Sequence, residues 1–209
     1  MAHFARQIFF ALALLAATTA HADPVRIVAL GDSLTAGYGL PRGQGFVPRL
    51  EAALKARGHN VEIIDAGVSG DTTAGGLARL AWVVPENADA VIVELGANDA
   101  LRGINPATTR ANLDAILAEL SARNLPILLA GMRAPRNLGS AYTDRFDAIF
   151  PELAAHYGAV FYPFFLDGVV ADPALNLADG IHPNARGIEI IVARILPYAE
   201  RLLIQEAPK

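Results

Sequence analysis

The stretch Val25-Arg26-Ile27-Val28-Ala29-Leu30-Gly31-Asp32-Ser33-Leu34-Thr35 decides how the rest of the chain is read. Its first six residues form a nearly continuous apolar run, the pattern of a parallel strand buried on both faces, and the run stops at a glycine followed by an acid and a hydroxyl. Four more such runs follow: Val61 to Asp65, Ala90 to Leu95, Pro126 to Ala130 and Ala159 to Phe161. Amphipathic stretches separate them. Arg42 to Gly58 carries Phe46, Val47, Leu50, Ala53 and Leu54 at helical spacing, and Gly58 stands where a helix would stop. Thr73 to Val83 reads as a short helix. Asn105-Pro106 opens another, in which Leu113, Ile116, Leu117 and Leu120 make an i, i+3, i+4, i+7 stripe. Tyr142 to Tyr157 reads as one helix, and Ala185 to Leu203 as the last, with Ile188, Ile191, Ile195 and Leu202 on one side. Five βα units without repeat or linker predict a single three-layer α/β/α sandwich around a five-stranded, mainly parallel sheet with right-handed crossovers. In such sheets ligands sit at the carboxyl ends of the strands.

Composition narrows the chemistry. The chain has 209 residues, 53% hydrophobic and 18% charged, with no cysteine. That excludes disulfides, thiolate nucleophiles and cysteine zinc sites, so any nucleophile must be oxygen or nitrogen. The formal charge is -4, and the only lysines are Lys55 and Lys209, so no basic stripe is available to track a phosphate backbone and nucleic acid is excluded as a partner. Residues 1–22 read as a cleavable secretory signal peptide. Arg6 supplies the positive start, Ile8 to Ala17 the apolar run, and Ala20-His21-Ala22 a small-x-small cleavage site before Asp23. Thr18, Thr19 and His21 cut the run short of the roughly 20 apolar residues that a membrane span requires. The expectation is an exported domain, 23–209, periplasmic or secreted, with no stable membrane insertion after cleavage.

The loops after the strands hold the unusual residues. Ser33 follows the first strand close to unpaired backbone N–H groups, where it or Asp32 could simply cap a helix. A Gly-Ser-Thr loop could equally cradle a phosphate or a flavin. Ala66-Gly67-Val68-Ser69-Gly70-Asp71-Thr72 follows the second strand and Gly96-Ala97-Asn98-Asp99 the third. Taken singly these are turn residues. Beside Ser33, the Gly70 N–H and the Asn98 amide, with the Ser33 N–H, could hold the oxygen that turns negative during acyl transfer. Near the C-terminus, Asp179-Gly180-Ile181-His182-Pro183-Asn184 places an acid three residues before a histidine, so one turn can bring carboxylate to imidazole and fix its tautomer. Among the five histidines only His182 has this setting. It is the base that a serine nucleophile requires.

Ser33 in Gly-Asp-Ser-Leu, Gly70 in Ser-Gly-Asp-Thr, Asn98 in Gly-Ala-Asn-Asp and His182 in Asp-Gly-Ile-His-Pro-Asn resemble, in order, the four blocks of the SGNH hydrolases, or GDSL lipase/esterase family. More narrowly, 93–103 and 179–184 resemble its exported bacterial branch of acyl-CoA thioesterase I, lysophospholipase and arylesterase. The resemblance implies a flavodoxin-like sheet order 2-1-3-4-5, Ser33 as nucleophile, His182 as base, Asp179 as orienting acid, and Ser33, Gly70 and Asn98 as the oxyanion hole. It also implies a mobile substrate-binding loop of Ala100, Leu101, Arg102, Gly103, Ile104 and Asn105. Ala97 departs from the branch, which more often has a second glycine there; this narrows the mouth and leaves the Asn98 donor in place. The implied activity is hydrolysis of carboxylic esters, aryl or short-chain esters, lysophospholipids and acyl thioesters, through an acyl-enzyme, by a monomer needing no metal and no cofactor. A noncatalytic ligand-binding module on the same fold is the alternative, because fold does not dictate activity.

Overall fold

In the computed structural model, which describes residues 23–205, five strands form one sheet. They are β1 (Val25–Gly31), β2 (Val61–Gly67), β3 (Ala90–Glu94), β4 (Ile127–Ala130) and β5 (Val160–Tyr162), in the order β2-β1-β3-β4-β5. All four pairings are parallel, with Gly31 of β1 flanked by Gly67 of β2 and Glu94 of β3. The apolar runs explain the sheet: β3 and β4 are buried at every position, as strands covered on both faces must be.

Among the described residues eight α-helices complete the layers: α1 (Ser33–Ala36), α2 (Phe46–Ala56), α3 (Thr73–Val83), α4 (Ala97–Leu101), α5 (Pro106–Ala122), α6 (Ser140–Asp147), α7 (Ile149–Tyr157) and α8 (Ala185–Ile204). Helices α2 and α8 pack together on one face; α3, α5 and α7 cover the other. Between them lies a core that includes Phe46, Leu50, Ile92, Leu113, Phe146, Phe150 and Ile195, all essentially inaccessible to water. Side-chain caps fix the helix starts. Thr72 accepts from Gly75 N–H, Asn105 from Ala107 N–H, and Asn184 from Arg186 and Gly187 N–H.

Several element boundaries differ from the sequence reading. The helix expected over Arg42 to Gly58 begins only at Phe46, because Gly43 has φ of 84° and Gly45 is extended, which keeps the chain out of the helical region. The single helix expected over Tyr142 to Tyr157 is two, α6 and α7, meeting at Ala148. Pro151 has no N–H to give the carbonyl four residues back, so the hydrogen-bond ladder breaks there. Helices α1 and α4, of four and five residues, stand where loops were expected. Residues 1–22, which hold the expected signal peptide, lie outside the described residues. No helix among the described residues is long and apolar enough to cross a membrane.

Candidate active site

The β1 strand delivers Asp32 and Ser33 to the carboxyl edge of the sheet. Gly31 is required at this corner, since a Cβ there would sit 1.9 Å from Thr35 Oγ1 and 2.9 Å from the Glu94 carbonyl. Asp32 Oδ1 accepts from Leu34 N–H at 2.9 Å and so caps α1. Ser33, the first helical residue, is therefore not the cap. Its hydroxyl, in a residue only 8% exposed, faces the imidazole of His182 instead.

His182 is held by the turn that precedes it. Asp179 Oδ1 accepts from the N–H groups of Ile181 and His182, both at 3.0 Å, which folds Asp179-Gly180-Ile181-His182 into a tight loop. Gly180 supplies the φ of 74° that this loop needs. Asp179 Oδ2 then lies 2.7 Å from His182 Nδ1, while His182 Nε2 lies 2.9 Å from Ser33 Oγ. The N–H of Leu177 donates to the His182 carbonyl, and the Tyr38 ring lies 4.5 Å from the imidazole centroid. The Ile181 N–H, foremost, and then the His182 side chain hold the Asp179 carboxyl down at about 2. It is ionised whenever the imidazole could use it. The acceptor on Nδ1 places the Nδ1 proton there and leaves Nε2 as the acceptor for the serine proton.

Gly70 and Asn98 come to the same opening. With Ser33 and His182 they line one cavity of about 730 Å³. Gly70 stands in a left-handed conformation, φ 83°, and its carbonyl accepts from Arg102 Nη2 at 2.6 Å. Asn98 lies in the first turn of α4, which follows Gly96 at φ of 115°. Its Nδ2 donates to Asp32 Oδ2 at 3.0 Å, which leaves its second amide hydrogen for another acceptor. Ala97 is also on the cavity wall. Of the segment 100–105, Ala100 and Leu101 line the cavity. Arg102 reaches to Gly70 beside it, and Gly103 makes a turn with φ of 62°. Ile104 offers its carbonyl to the Tyr142 hydroxyl, and Asn105 caps α5.

Other residues escaped the sequence reading. Met132, Arg133, Phe164, Leu166 and Val170 complete a mostly apolar wall. Their loops carry no motif, so nothing in the sequence assigned them to it. Glu94 carried a signal that went unused: it is a lone acid in an otherwise apolar strand. It is fully buried, and Thr35 Oγ1 donates to it at 2.8 Å. Among the described residues, no group of three or more histidines and carboxylates is placed to hold a metal ion. The chemistry available is that of a buried hydroxyl, an oriented imidazole and converging N–H donors beside an apolar chamber, which is the equipment of acyl transfer.

Comparison with known proteins agrees with this geometry. Residues 29–190 match the model of the GDSL-like Lipase/Acylhydrolase family. Esterase TesA of Pseudomonas aeruginosa is 37% identical over 186 residues, covering 88% of this chain and 92% of that protein. Thioesterase 1/protease 1/lysophospholipase L1 of Escherichia coli K12 is 38% identical over 177 residues, covering 84% of this chain and 83% of that protein. The crystal structure of AlinE4, an SGNH-hydrolase family esterase, superposes with a TM-score of 0.74 at 49% identity, covering 87% of this chain and 98% of AlinE4. With the family match spanning all four motif blocks and the superposition covering most of the chain, the chain belongs to the GDSL-like lipase/acylhydrolase family and is a carboxylic ester hydrolase.

Proposed function

We propose that Ser33 is the nucleophile of a two-step acyl transfer to water, with His182 as general base and Asp179 as its orienting acid. The observation that carries this reading is the unbroken chain from Asp179 Oδ2 through the imidazole to Ser33 Oγ, 2.7 Å and 2.9 Å long at its two links. His182 Nε2 takes the serine proton as Oγ adds to the ester carbonyl. The tetrahedral oxyanion is met by the N–H groups of Ser33 and Gly70 and by the unengaged Asn98 amide hydrogen. The alcohol leaves with the proton from His182, and water, deprotonated by the same nitrogen, releases the acid.

The apolar chamber supports fatty acyl or aryl groups as the part of the substrate that is buried. The name of the Escherichia coli relative supports lysophospholipids and acyl thioesters as substrates to be tried, and the resemblance to the exported branch adds aryl esters. Residues 1–22 support export and cleavage before Asp23. Coenzyme A esters are cytosolic, so export favours oxygen esters over thioesters as the physiological substrates. Turnover of p-nitrophenyl acetate and butyrate by the purified protein tests the reading. Wild type turns both over and Ser33→Ala does not; activity that survives Ser33→Ala would refute the nucleophile. Asn98→Ala lowers kcat by about 10² to 10³.

A further inference from the structure

Beneath Ser33 lie two carboxyl groups that the acyl-transfer steps leave without a task. Glu94, at the end of β3, and Asp32, at the end of β1, are both fully buried. Glu94 Oε2 accepts from the Thr35 hydroxyl at 2.8 Å, with the Asp32 N–H 3.4 Å away. Glu94 Oε1 is buried with no donor directed at it, and none of these partners is a cation. Two fully buried carboxyl groups this close, with no cation against Glu94, cannot both stay ionised, so one of them holds a proton. Both Asp32 oxygens already accept, Oδ1 from Leu34 N–H and Oδ2 from Asn98 Nδ2. Asp32 is thus the charged member of the pair and Glu94 the protonated one.

We infer that Asp32 and Glu94 form a buried acid pair holding one proton, with the proton on Glu94, and that the Asp32 carboxylate sets the orientation of Asn98. This inference rests on Asn98 being an oxyanion donor, as proposed above. An amide has two hydrogens in one plane. Pinning one on Asp32 fixes the direction of the other, which then points at the cavity that Asn98 lines. Without a charged acceptor the amide can turn, and its Oδ1 would then face a developing negative charge. Asp32 is a positioning residue in this scheme, and Glu94 holds it in place. Burial, first, and the adjacent Asp32 charge, second, raise the Glu94 carboxyl well above the carboxylate range. Burial raises Asp32 only to about 6, because the Leu34 N–H, the Asn98 amide and Glu94 all favour its charged form. The other ionisable groups nearby are His182, at the mouth, and Arg79, which reaches the Gly31 carbonyl from α3.

A double-mutant cycle tests the positioning role. Asp32→Asn keeps a capping oxygen for Leu34 N–H but turns an N–H₂ against Asn98. It lowers kcat about 10- to 100-fold with KM within about twofold, and in the Asn98→Ala background it costs nothing further. Losses that multiply in the double variant, or a wild-type kcat in Asp32→Asn, would overturn the inference. A wild-type kcat in Asn98→Ala would instead remove the oxyanion reading beneath it. Should Asp32→Asn fail to fold, Asp32→Ser still caps α1 but is too short to reach Asn98, and the same cycle applies. The proton is read separately by infrared spectroscopy of the full protein at pH 7. Wild type shows a protonated-carboxyl C=O stretch that Glu94→Gln lacks; absence from wild type, or persistence in Glu94→Gln with loss in Asp32→Asn, would contradict its place on Glu94.

Discussion

Asp32 and Ser33 are neighbours whose side chains do opposite work. Asp32 turns inward to cap α1 and hold Asn98, and Ser33 turns outward to His182. The cap reading of the motif was therefore right for one residue and the nucleophile reading suits the other; four letters of sequence could not divide the two tasks. The same scale decides the response to acid. Asp179, held at about 2 by its hydrogen bonds, keeps its charge across the working range, and what it contributes to stability is present above the ordinary carboxylate value and fades only as pH falls toward 2. Acid acts instead through Asp32, whose carboxylate takes a proton below about 6 and so loses its hold on the Asn98 amide. The acid limb of log kcat has a step near 6 in wild type that Asp32→Asn lacks. Identical acid limbs in the two proteins would contradict this. Asp179→Asn loses kcat by about 10² to 10⁴ without unfolding, since the tautomer is no longer fixed.

At the scale of elements, the strands were legible because a strand covered on both faces must be almost entirely apolar; β4 is wholly so, and β1 and β3 depart only at Arg26 and Glu94. Helices α1 and α4 were not legible. At four and five residues they are too short to show a hydrophobic period, and the glycines around them read as turns. The break between α6 and α7 was written in Pro151, but an unbroken apolar stripe on either side hid it. Glycine also sets how close elements come. A Cβ on Gly67, at the end of β2, would lie 2.4 Å from Ala36 N and 2.9 Å from the Asp32 carbonyl. Both are backbone atoms of the segment that carries Ser33, and neither can swing away. Gly67→Ala is expected to cost about 1 to 3 kcal/mol by overpacking and to lower kcat along with thermal stability. An unchanged Tm and kcat would show that α1 gives way freely.

Across the whole molecule, the sheet order places β1 between β2 and β3, so three successive crossovers return their loops to one edge. Ser33 and His182 are 149 positions apart and meet only because of that topology. The motif blocks were visible one by one in the sequence; the chamber they open onto was not, since its walls come from loops without a pattern, such as 132–136 and 164–170. Motif residues announce the reaction, whereas the wall that selects a substrate exists only once the chain has folded. The most direct test is covalent trapping with a p-nitrophenyl alkylphosphonate, followed by peptide mass spectrometry. One adduct per chain on Ser33, forming in step with loss of esterase activity and absent from Ser33→Ala, is the expected result. A stoichiometric adduct on any other residue, or full inactivation of esterase activity with Ser33 unmodified, would contradict it.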